Sequence, residues 1–213
     1  MTMWNHTEEY YGSSRRLSQV QMGGGQPQNN RIREHRTVLI EKALYLMSTA
    51  KRPEGITAEL LVRQLEVSDH VFYRLFDSLD DFQNELINTG WKDLLRKLRH
   101  VAARTSGREG MDAIIEAYRE FVNDNKGSYY LSVCQGRDTA IGRKNMSQLV
   151  RLLHIVLASC NLGTIDFDVA ARNMADVLQG LAVIEITGEK HGYIDSTVTH
   201  LLNIYKQGVF DER

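Results

Sequence analysis

Within the stretch from Thr57 to Arg74 lie three hydroxyls (Thr57, Ser68, Tyr73), a carboxylate (Asp69), an imidazole (His70) and a guanidinium (Arg74). Such groups hydrogen-bond phosphate oxygens and base edges, so the chemistry they suggest is recognition of nucleic acid. Catalytic chemistry has no comparable constellation. The seven histidines form no metal-ligand spacing, and neither a glycine-rich phosphate loop nor a nucleophile motif occurs, so no enzyme activity, metal or cofactor is expected. Cys134 and Cys160 are far apart and sit in apolar helical patterns, which reads as two buried free thiols.

Positioning these groups falls to helices. Hydrophobic residues make up 42% of the 213, and prolines occur only at Pro27 and Pro53, so nearly everything from Arg33 onward can run as helix. The expected fold is all-α. Leu39, Ala43, Leu46, Met47 and Ala50 share one face of a helix over 33–50, which Lys51-Arg52-Pro53-Glu54-Gly55 stops. Thr57 then caps a short helix over 57–64, and Ser68 caps another that turns Val71, Phe72, Leu75 and Phe76 inward. Two short helices joined by a tight turn form a helix-turn-helix candidate. Longer helices are expected over 79–104, 109–125, 128–135, 138–161, 166–187 and 196–208.

Residues 1–31 have no sustained apolar period and include Gly23-Gly24-Gly25, so they read as a flexible arm. The helix-turn-helix domain is expected over 32–78 and a larger helical domain, for dimerisation and ligand binding, over 79–213. A net charge of −1 gives no global sign of nucleic-acid affinity, so any DNA site must be local. No apolar run reaches the roughly 20 residues of a membrane span, and His6-Thr7-Glu8-Glu9 lacks the apolar centre of a signal peptide. A cytoplasmic protein is expected.

The segment from Ile56 to Phe82, ITAELLVRQLEVSDHVFYRLFDSLDDF, resembles the DNA-binding domain of the TetR family of transcription regulators. Thr57 opens the second helix, Val67-Ser68 follows the turn, Tyr73 and Phe76 fall in the recognition helix, and Ser78-x-x-x-Phe82 starts the next. Ile40-x-x-Ala43-Leu44 fits the family's first helix, while Ala117-Tyr118-Arg119-Glu120-Phe121 and Leu178-Gln179-Gly180-Leu181-Ala182 look like segments of one C-terminal subgroup. The resemblance implies a homodimer whose recognition helices enter successive major grooves, and a C-terminal domain that binds an effector. Thr57, Ser68, Asp69, His70, Tyr73 and Arg74 are then candidate DNA contacts. Each also has a plain structural use: Thr57 and Ser68 as caps, Asp69 as a first-turn helix stabiliser, Tyr73 in packing, His70 and Arg74 in solvent.

Two positions depart from the family pattern. Glu66 stands where a turn glycine is usual, at a cost of about 1 kcal/mol if its backbone is left-handed. Leu79 stands where lysine usually meets a phosphate. From Ile56 to Phe82, six acids against Arg63 and Arg74 leave a net charge of −4.

The expected function is a dimeric DNA-binding repressor controlled by a small hydrophobic ligand. The alternative is a TetR-like protein-interaction module that has lost direct DNA binding and acts through a partner regulator. Ligand-lining candidates are Trp91, Tyr118, Tyr130, Cys134, Met146, His154 and Met174, although an aromatic or methionine at helical spacing is core more often than ligand contact. The dimer is expected to pair helices 166–187 and 195–209 with their copies. Arg31, Arg33 and Arg36 are expected to supply phosphate contacts from the basic side.

Overall fold

A computed structural model describes residues 26–50, 55–160 and 166–187, and among them every regular element is a helix. The first, α1, runs from Gln26 to Ser48 and buries Leu39, Ile40, Ala43 and Met47 along one face. It starts seven residues before Arg33, within the segment read as an arm from sequence, whose residues 1–25 lie outside the described residues. Pro27 does not prevent this, because a proline in the first turn lacks only an N–H that has no helical partner anyway.

Caps decide where the next two helices begin. Thr57 leads α2 (Ala58–Gln64) and Ser68 leads α3 (Asp69–Leu75), each accepting from a backbone N–H three residues on. Between them the turn reverses through Glu66, whose φ of 54° lies in the left-handed region. The α2 C-terminus thus closes as glycine-ended helices do, with Glu66 N–H directed to the Arg63 carbonyl, and Lys42 of α1 donates to the Leu65 carbonyl at 3.3 Å. Below the turn, Phe72 and Phe76 meet Phe82 edge-on, with ring centroids 5.5 and 5.0 Å apart.

Phe82 belongs to α4 (Leu79–Ala102), capped by Ser78 and 24 residues long, or about 36 Å at 1.5 Å per residue. Its N-terminal part packs on α1 and α2, and the remainder on α5 (Gly107–Asp124) and α7 (Ala140–Ala158). The region expected as one helix over 128–135 is instead α6 (Lys126–Tyr129) running into a π-helical segment, Tyr130–Gln135, where Gly136 N–H reaches back to the Leu131 carbonyl at 2.8 Å. Periodicity alone does not distinguish these two windings over so short a run. The last described helix, α8 (Phe167–Thr187), lies against α7 and α5. The expected helix over 196–208 lies outside the described residues, as does its share of the dimer expectation.

Helices α1 and α6 approach closely. Gly127 of α6 sits against the Met47 carbonyl near the end of α1, where any Cβ would collide with that backbone oxygen. Among the described residues no helix is long and apolar enough to cross a membrane.

Candidate nucleic-acid interface and a polar cleft

The six residues singled out between Thr57 and Arg74 are all exposed. Ser68 through Arg74 follow one short helix whose other side is closed by buried Phe72, Leu75 and Phe76. Tyr73 is 61% exposed, its ring edge-on to Phe72 at 5.2 Å. The cap roles of Thr57 and Ser68 are real. Thr57 Oγ1 accepts from Leu60 N–H at 3.3 Å and also hydrogen-bonds the Glu59 carboxylate, whereas Ser68 Oγ accepts from Val71 N–H at 3.4 Å and keeps its hydroxyl proton for another acceptor.

Arg36 is not free for phosphates, contrary to its expected role. It is spent inside the fold: Nη1 donates to the Leu75 carbonyl at 2.8 Å, Nη2 to Asp81 at 3.1 Å, Nε to Glu85 at 3.0 Å, and its guanidinium lies 4.7 Å from the Phe76 ring centroid. Burial alone would lower its pKa, but Glu85 and Asp81 outweigh that and raise it. This strut ties α1 to the end of α3 and the start of α4, and it neutralises Asp81, which also accepts from Asp77 N–H at 3.2 Å. Glu59 is held below the usual carboxylate range by its own backbone N–H and the Thr57 hydroxyl. The exposed charges of this region are therefore Glu59, Glu66, Asp69, Asp77 and Asp80 against Arg63 and Arg74, with Arg31 and Arg33 exposed on α1. Nothing in composition signalled Arg36, because its partners lie more than 35 positions away in sequence.

The seven expected ligand-lining residues do not converge. Trp91, Tyr118 and Met174 are core: Trp91 Nε1 donates to the Ser132 carbonyl at 2.9 Å, and the Tyr118 and Tyr129 hydroxyls bond each other at 2.6 Å. Burial pushes both phenols well above their ordinary range, and the shared hydrogen bond raises Tyr129 further while offsetting part of the rise at Tyr118. Tyr130 and Met146 are half-buried against the core. His154 faces partly outward and bonds Asp168 at 2.7 Å, linking α7 to α8. Cys134 alone of the seven lines a cleft, of about 300 Å³, between the π-helical segment and α8. Both cysteines are free but half-buried rather than fully buried, and burial pushes the Cys134 thiol up to about 11.

Val133, Cys134, Gly180 and Val183 form walls of this cleft, with exposed Arg137 and Asp176 paired at 3.3 Å on its rim. Gln179 lines it too. That side chain is 5% exposed, and neither Nε2 nor Oε1 has a hydrogen-bond partner, a situation that costs roughly 1–3 kcal/mol per stranded polar group. In sequence the only signal for Gln179 was a polar amide set between apolar Leu178 and Leu181. Among the described residues no group of three or more His, Cys, Asp or Glu is placed to hold a metal ion.

Searches for matching family models and for similar curated proteins find none. The fold itself has solved relatives. A protein of unknown function from Rhodococcus sp. RHA1 superposes with a TM-score of 0.60 at 19% identity, over 82% of this chain and 95% of that one. SCO4313, provisionally named a regulatory protein, does so with a TM-score of 0.55 at 17% identity, over 86% of this chain and 98% of that one. At these identities the likeness is one of fold.

Proposed function

We propose that the protein is a TetR-type transcription regulator, a homodimeric DNA-binding repressor controlled by a small hydrophobic or amphipathic ligand, and that it acts by binding rather than by catalysis. The observation that carries this reading is α3, a short capped helix after a left-handed turn. Its hidden side anchors Phe72, Leu75 and Phe76 while Ser68, Asp69, His70, Tyr73 and Arg74 all face solvent. In this reading α2 and α3 are the helix-turn-helix and α3 enters the major groove. Asp69 and His70 meet base edges near its N-terminus, while Thr57, Ser68, Tyr73 and Arg74 hold phosphates. The helical region from Leu79 onward carries the ligand and the dimer contact. Its influence reaches α3 through α1, which abuts α6 at Gly127 and is bonded to α3 and α4 by Arg36.

Selection of random duplex DNA on the purified chain tests the reading. The expected outcome is enrichment of a palindrome with half-sites about one helical turn apart. A folded dimer that binds no duplex even at low salt would defeat it.

One observation favours a second reading. Five exposed acids surround α2 and α3, the wrong sign for a phosphate surface. If DNA binding fails, this acidic face is the docking surface of a protein-interaction module whose partner is basic.

A further inference from the structure

We infer that the cleft between the π-helical segment and α8 binds a small uncharged molecule presenting a hydrogen-bond donor and acceptor side by side, as a lactam or primary amide does, to the side-chain amide of Gln179. Three independent features meet there. The cleft measures about 300 Å³, the lower end of the 300–1,000 Å³ range of small-molecule sites. One of its walls is a π-helical turn, a rare winding with i to i+5 hydrogen bonds that is frequent at functional sites. Gln179 is among its lining residues, its amide nitrogen and oxygen closed off from solvent and both unpaired, so an occupant meets them as that side chain turns toward the cleft; a native interior seldom leaves such a group without a partner.

The lining also selects the charge and shape of the occupant. Arg137 and Asp176 satisfy each other on the rim and leave no net charge. The Tyr129 hydroxyl is taken by Tyr118, and the Cys134 thiol stays neutral, so neither offers an ionic or nucleophilic handle. What remains is one amide edge set among Val133, Val183 and the bare backbone of Gly180. A primary amide can exchange two parallel hydrogen bonds with a ligand edge of the same kind, whereas a ketone or hydrocarbon of equal size leaves its N–H stranded.

This inference deepens the ligand half of the regulator reading, and its test uses no DNA, so either can fail alone. The full chain is titrated with ε-caprolactam and with cycloheptanone, a ring of the same size lacking the N–H, by ligand-observed NMR and thermal unfolding. Caprolactam should bind at least about tenfold more tightly than the ketone. Gln179→Met should erase that preference. Gly180→Leu, where a Cβ meets nothing within 4 Å, should fill the cleft and remove binding of both rings while the chain still unfolds cooperatively. Equal binding of the two rings, binding of neither, or unchanged lactam affinity in Gly180→Leu overturns the inference. It is also overturned if Gln179→Met weakens self-association and leaves lactam binding intact, because the partner of Gln179 is then a second copy of the chain.

Discussion

Replacing Glu66 with glycine should stabilise the protein and, in the regulator reading, strengthen its hold on DNA. At φ 54° the Glu66 Cβ crowds its own carbonyl, which costs a non-glycine residue about 1–2 kcal/mol. Glycine removes that strain but gives the unfolded chain more freedom, returning about 0.4–1 kcal/mol. The net gain is about 0.5–1 kcal/mol, or about 1–4 °C in Tm for a chain of this size. Glu66→Ala separates backbone from charge, since alanine keeps the left-handed strain and loses only the exposed carboxylate. Urea unfolding of the three proteins should rank glycine above both alanine and glutamate. Glycine no better than alanine would refute the reasoning, because no strain would then reside at this turn. Duplex titrations add a second comparison, in which both variants should bind non-specific DNA more tightly than the parent by a similar factor.

Arg36→Met should cost about 1–3 kcal/mol in chemical denaturation, because it strands the Leu75 carbonyl and leaves Asp81 and Glu85 facing each other, with partial exposure keeping the loss modest. An unchanged midpoint would show that the strut is not formed in solution. Tyr118→Phe should lose about 1–3 kcal/mol by leaving the Tyr129 hydroxyl buried and unpaired, whereas Tyr118→Phe with Tyr129→Phe should recover most of it; additive losses would contradict the paired-hydroxyl geometry. Asp69→Asn with Asp80→Asn should raise non-specific duplex affinity at every salt concentration, both acids being exposed and outside the Arg36 bonds, and a fall in affinity would favour a direct base contact by Asp69. Tyr73→Phe should weaken duplex binding with little change in stability, while Thr57→Ala should also cost about 1 kcal/mol of stability through the lost α2 cap, read as a fall in the urea midpoint.

Sequence by itself determined the helices and most of their ends. Thr57, Ser68 and Ser78 each cap the helix they precede, because a short side-chain oxygen satisfies an orphan N–H wherever the chain starts to wind. The inward sides of α1, α3 and α8 followed from apolar spacing, since residues one turn apart must share a face. Leu178, on the helix expected to pair with its copy, is packed inside its own chain at 2% exposure, so Leu178→Asp would damage folding before it could report on association. Whether an apolar face meets its own chain or another copy depends on neighbours that no local pattern encodes.

Only the tertiary structure could decide the rest, for the same physical reason. Arg36 looked like a basic-arm residue until α3 and α4 brought Leu75, Asp81 and Glu85 around it. Trp91 and Tyr118 looked like ligand contacts until their polar atoms were seen bonded to Ser132 and Tyr129 inside the core. Gln179 stands out only because no group of the folded chain answers its amide, and the π-helical turn beside it is a winding that propensity does not encode. A side chain's bonding capacity is a local property that sequence displays. Which groups satisfy that capacity depends on long-range packing, and so the division between strut, core and candidate site was settled by the fold.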